Sequence, residues 1–198
     1  MRTRLLTTAA AGSLSRLRGF VLMALLLTAP ALASANREAR LHVGDRVPAI
    51  EATTLDGTKV VVRGARQRPV LLLMGFVKDS REDVGKWTGE VQRIWLADSS
   101  FDFYEMPMIG SGGWLLSGII SGSMRSGTPA PMQGHVMPLY RDARLWQKRL
   151  GLEHPKQAVL VLIDRDGRLV WQGAGPFSET AWKPLQTAIR AVLQAPEH

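Results

Sequence analysis

Met124, Met132, His135 and Met137 lie close together in the chain, with Met106 and Met108 just before them. Thioether and imidazole donors suit Cu(I), so the stretch has the chemistry of a copper-binding site. Methionine also fills irregular cores, which is the structural alternative at each position. A second cluster, Asp79, Ser80, Arg81, Glu82 and Asp83, follows an apolar run. It offers charge for a partner, with Asp79, Arg81 and Glu82 as the contact residues. It also reads as a solvated helix start, Ser80 and Asp83 making a capping box and the acids facing the positive end of the helix dipole. A third segment runs from Trp114 to Met124, and its small residues Ser117, Gly118, Ser121 and Gly122 recur at four-residue spacing. Such spacing permits close helix contact, in a membrane or against a protein. Trp114 there suits a lipid interface and Arg125 a snorkelling cation. Trp114, Met124 and Arg125 are therefore further partner-binding candidates, set against a helix packed on its own core.

Other chemistries are missing. The chain has no cysteine, which removes thiol catalysis, disulfides and a lipid-modified cysteine. His42, His135, His154 and His198 lack metal-ligand spacing, and Asp164 and Asp166 suit a tight turn better than a calcium loop. No nucleophile elbow, phosphate loop or zinc motif occurs. Neither an enzyme nor a bound cofactor is expected, and the oligomeric state is open.

Residues 1–33 hold four arginines and no acid, then the apolar run Phe20–Leu27 and small residues ending in Ala31-Leu32-Ala33. This order reads as a secretory signal peptide, with an uncleaved membrane anchor as the alternative. Removing it takes the formal charge from +8 to +4, so the high overall charge does not argue for nucleic acid. Periplasmic or secreted placement follows. Residues 34–46 read as a polar linker and 47–195 as one domain, with an insertion at about 110–134 that contains seven glycines.

Positioning elements can be read from pattern. Asp56-Gly57 between apolar runs predicts a hairpin within Val47–Val62. The unbroken run Val70–Val77 predicts a strand buried on both faces. Val84, Trp87, Val91, Ile94 and Trp95 mark one face of a helix, and Phe101–Met108 a second strand. Val136–Tyr140 reads as a strand, Asp142–Leu150 as a helix stopped by Gly151. Ala158–Ile163 and Leu169–Trp171 form a hairpin about Asp166-Gly167. A terminal helix carries Trp182, Leu185, Ile189, Val192 and Leu193, starting near Lys183 so that Pro184 falls in its first turn. The order predicts an α/β sandwich, a mixed sheet flanked by helices.

This layout resembles the thioredoxin-like superfamily, especially its redoxin and peroxiredoxin branch. The carrying residues are Val43–Pro48, Leu55-Asp56-Gly57, the strand ending at Phe76-Val77, and Leu162–Arg168. In that family the cysteines follow the first central strand, where this chain has Lys78–Asp83, and a cis-proline precedes the Leu-Ile-Asp strand, a place that falls near Ala158. Val159–Asp164, Gly167–Gly175 and Gly122–Pro129 also resemble the mitochondrial ATP synthase assembly factors of thioredoxin-like fold and their bacterial relatives. The resemblance implies a non-catalytic exported protein that binds a protein partner, with a role in assembling a membrane complex.

Overall fold

β5 (Val159–Ile163) is buried at every residue and pairs antiparallel with β3 (Val70–Gly75), itself buried from Val70 to Met74, in the register Leu72↔Val161. The computed structural model describes residues 39–62, 68–110, 112–152 and 156–195, so the expected leader lies outside the described residues. β4 (Asp102–Pro107) joins the other edge of β3 in parallel, and β6 (Leu169–Ala174) the other edge of β5 antiparallel. The sheet order is β4-β3-β5-β6. β1 (Ile50–Thr53) and β2 (Lys59–Val62) form a separate hairpin turned by Gly57 at φ +95°. Asp56 holds that turn, accepting from the Thr54 hydroxyl at 2.5 Å and the Thr58 amide at 3.0 Å. The Thr54 bond is the main reason its carboxyl sits below the ordinary aspartate range.

Strand alternation sends side chains to two cores. Leu72, Met74, Val161 and Ile163 meet Ile50 and Val62 of the hairpin and Trp146 and Leu150 of α4 (Ala143–Leu150). Leu71, Leu73, Leu160 and Leu162 meet α1 (Arg81–Trp95) and α5 (Glu179–Gln194) through Trp87, Val91, Trp95, Trp182, Leu185 and Ile189. The predicted sandwich is the observed architecture.

Several boundaries differ from the sequence reading. Residues 41–47, read mostly as linker, are bonded into the domain: Leu41 donates to the Arg149 carbonyl, Gly44 to Leu169 and Val47 to Gly167. Val136–Leu139 makes only isolated parallel bridges to β4. The Met137 and Leu139 amides reach Glu105 and Pro107, but Pro107 has no N–H to return, so the ladder breaks there. α5 starts at Glu179, four residues early, because the Ser178 side chain caps it by accepting from the Ala181 amide at 3.2 Å. Pro184 therefore sits inside the helix, and three buried side chains offset its missing bond.

Trp87 joins the second core to the end of β6. Its ring is buried, stands edge-on to Phe177 at 5.2 Å, and its indole N–H donates to the Gly175 carbonyl at 3.0 Å. Trp87→Phe should cost about 1–3 kcal/mol by stranding that carbonyl. Trp87→Ala should cost about 3–5 kcal/mol by adding a cavity. Denaturant titration of both variants checks the ordering, and equal losses would mean that the cavity adds nothing beyond the lost hydrogen bond.

Candidate functional site

A cavity of about 400 Å³ opens where β3 and β4 end and α1 begins. Its walls are largely apolar, from Phe76, Val77, Val84, Met108, Ile109 and Met124, and its polar groups come from Lys78, Ser80, Arg81, Glu105 and Thr128. Concave apolar sites with a few convergent polar groups are the usual form of a binding pocket.

The turn into α1 is built differently from a capping box. Lys78–Ser80 is a 3₁₀ turn, and Ser80 already has helical backbone angles, φ −74° and ψ −10°. An N-cap needs an extended backbone to aim its side chain at the helix amides. The Ser80 hydroxyl instead donates back to the Val77 carbonyl at 2.7 Å, and the side chain is fully buried. It lies so near Gly75 that a Cβ there would stand 2.9 Å from Oγ. Asp79 and Glu82 are exposed, and Glu82 pairs with Lys86 at 2.8 Å. Arg81 and Lys78, not the acids, face the cavity from this turn.

The acid in the cavity comes from β4. Glu105 shares the α1 side of the sheet with Phe103 and lies 3.4 Å from the buried Thr88 hydroxyl. Burial raises its carboxyl above the ordinary glutamate range, and the Thr88 hydrogen bond and the Arg81 charge oppose that rise. Sequence reasoning missed this residue. The available signal was an acid at an inward-alternating place in the apolar strand Phe101–Met108.

The insertion closes one side. Its 3₁₀ turn (Gly113–Leu116) leads into α2 (Ser117–Ser126), and α3 (Ala130–Gln133) follows. Met124 and Thr128 line the cavity, and the Thr128 hydroxyl donates to the Met124 carbonyl at 2.8 Å. Arg125 does not reach outward to lipid. Its guanidinium donates to the Leu55 carbonyl and ties the insertion to the hairpin turn. Trp114 is half-exposed and lies under the Arg141 guanidinium at 5.4 Å.

The methionine–histidine set is not brought together. Met132 is buried in the core on the α1 side of the sheet and Met137 in the core on the opposite side. His135 stacks on Phe103 at 4.3 Å with Nδ1 3.0 Å from the Phe103 carbonyl. Met124 is at the cavity. The chain path is the reason: Met132 sits on α3 against one core, and the chain then runs beside β4, where Met137 enters the other.

Comparison with solved structures places the architecture. BsSco, a member of the Sco family of cytochrome c oxidase assembly proteins, matches with a TM-score of 0.53 at 9% identity over 80% of this chain and 99% of that one. The exposed lipoprotein thioredoxin Etrx1 of Streptococcus pneumoniae matches at 0.51, with 16% identity over 72% and 99%. A Chlorobium tepidum protein described as the thiol:disulfide interchange protein DsbE matches at 0.53, with 20% identity over 77% and 99%. The fold is thioredoxin-like. No protein-family model and no curated protein matches the chain. The cavity lies at the start of the helix after the first central strand, the place to which the sequence resemblance assigns the cysteines of that superfamily. The described residues include no cis peptide bond, and Ala158 stands buried before β5.

Because folding raises the Glu105 pKa, the folded state holds that proton more tightly than the unfolded chain, and stability falls as pH rises through the folded pKa. Glu105→Gln should therefore be more stable than the parent at pH 7, with the gap closing on acidification below the ordinary carboxylate range. Denaturation midpoints across pH measure this. A gap that widens toward acid would mean that Arg81 and Thr88 outweigh burial.

Proposed function

We propose that this chain is a non-catalytic exported protein that binds a protein partner through the mouth of this cavity, in the assembly of a membrane complex. The observation that carries the reading is the cavity itself. The cavity at the end of β3 is walled largely by apolar side chains, and the hydroxyl at its helix start is buried and spent on the Val77 carbonyl. A chain without cysteine has no thiol for disulfide exchange there. What remains suits recognition: apolar walls that a partner side chain can fill, a cationic rim from Lys78 and Arg81, and a carboxyl at Glu105 that gains from any new hydrogen-bond donor. Asp79 and Glu82 lie exposed beside this mouth and Met124 in its wall, so they form one recognition surface. The segment Gly122–Pro129, which resembles the assembly factors, supplies Met124 and Thr128 to the cavity. The Sco-family match, whose own description is of assembly proteins, supports the same reading at the level of fold.

Photo-crosslinkers placed one at a time at Arg81 and Met124 should trap the same polypeptide in envelope fractions. A crosslinker at the exposed Arg190 on α5 should not trap it. Identical adducts from all three positions, or none from the cavity pair, would remove the proposal.

A further inference from the structure

The insertion carries an apolar ridge that the cavity does not use. Leu115, Leu116 and Ile119 are 68%, 55% and 73% exposed, and Trp114 is 50% exposed. None of the residues of the turn or of α2 is buried. The ridge is nonetheless held in one orientation. Ser117, Ser121 and Arg125 recur every four residues on the inward stripe of α2. The Tyr140 hydroxyl lies 2.5 Å from the Ser121 hydroxyl and donates to the Ser117 carbonyl at 3.2 Å, while Arg125 donates to Leu55. At about 100° per residue Ile119 lies on the far side of the helix from that stripe. Gly113 presses on Ile109 so closely that a Cβ would meet its side chain at 2.3 Å, which fixes the turn against β4's end.

Charge decides what covers the ridge. From Met106 to Arg141 the chain has no aspartate or glutamate; Arg125 is turned inward to Leu55, and Arg141, followed by the exposed Asp142, stands over the Trp114 ring. We propose that the turn Gly113–Leu116 and α2 seat on an anionic lipid bilayer, with Leu115, Leu116 and Ile119 immersed and Trp114 and Arg141 at the headgroup level. Exposed Trp and Leu beside a cation, on a turn and helix without acids, is the pattern of an interfacial helix. A stable protein interface takes roughly 20–30 residues a side with matched shape. Four side chains on a turn and one helix face suffice for a fluid lipid surface, which needs no matching shape. The described residues contain no helix able to cross a membrane, so this contact lies on the bilayer rather than through it.

The chain has no cysteine, so Ile119→Cys in the full chain gives a single site for a nitroxide label, and Asp79→Cys gives a control. With vesicles of mixed phosphatidylcholine and phosphatidylglycerol, the label at 119 should gain exposure to oxygen and lose exposure to an aqueous nickel reagent. The label at 79 should stay aqueous. Leu115→Ser with Leu116→Ser should weaken vesicle binding about tenfold, because the immersed apolar area is gone. Circular dichroism should not change, since neither residue is buried. High salt should weaken binding as well. Three results would overturn the proposal. One is a 119 label that stays aqueous on chains already bound to vesicles, as attachment through the leader alone would leave it. Another is equal affinity for pure phosphatidylcholine. The third is label–label broadening that rises with protein concentration without lipid, which would mean that a second copy covers the ridge.

Discussion

The antiparallel pairing of β3 with β5 holds the molecule together. Both strands are covered on both faces, each in contact with two cores, so their side chains cannot be exposed without opening both. Burial of a Leu, Val or Ile is worth about 1.5–3 kcal/mol each, and this pair supplies ten such positions or their equivalents, Val70–Met74 and Val159–Ile163. The cavity is a consequence. It forms where β3 stops at Gly75 and the chain turns into α1, and Gly75 is required there because Ser80 packs directly against it.

That geometry separates shape from chemistry. The strand end, the helix start and the neighbouring β4 carboxyl define the pocket. Ser80 turns its hydroxyl into the backbone, and burial raises the Glu105 carboxyl against the opposing pull of Thr88 and Arg81. The pocket's rim is cationic from α1 and its wall is partly built by the insertion. A partner at the mouth would touch both the old fold and the added segment.

The insertion performs two tasks with its two faces. Its inward stripe is spent on Tyr140 and Leu55, and its outward ridge is left apolar. The proposed membrane contact would hold the mouth of the cavity near the bilayer. The two properties are separable, because the ridge residues Leu115, Leu116 and Ile119 are not cavity-lining residues.

Pattern alone was enough for the sandwich, both hairpins, the central strands and the apolar faces of α1 and α5, because each follows from a short-range period or a turn residue. Gly151 as a helix stop and Asp56-Gly57 and Asp166-Gly167 as turns are of this kind. Pattern failed where the deciding contact is distant in sequence. Pro107 breaking a ladder with residues 30 positions later, Arg125 bonding Leu55, and the linker-like residues 41–47 bonding α4 and β6 all depend on partners that no local window contains. The candidate metal ligands failed for the same reason, since proximity in sequence says nothing about which face of a sheet a residue enters. Composition excluded thiol chemistry without any coordinates. Only the tertiary structure could put Glu105 and Arg81 at one cavity, because a strand and a helix start 24 residues apart meet only after the parallel pair β3 and β4 has formed.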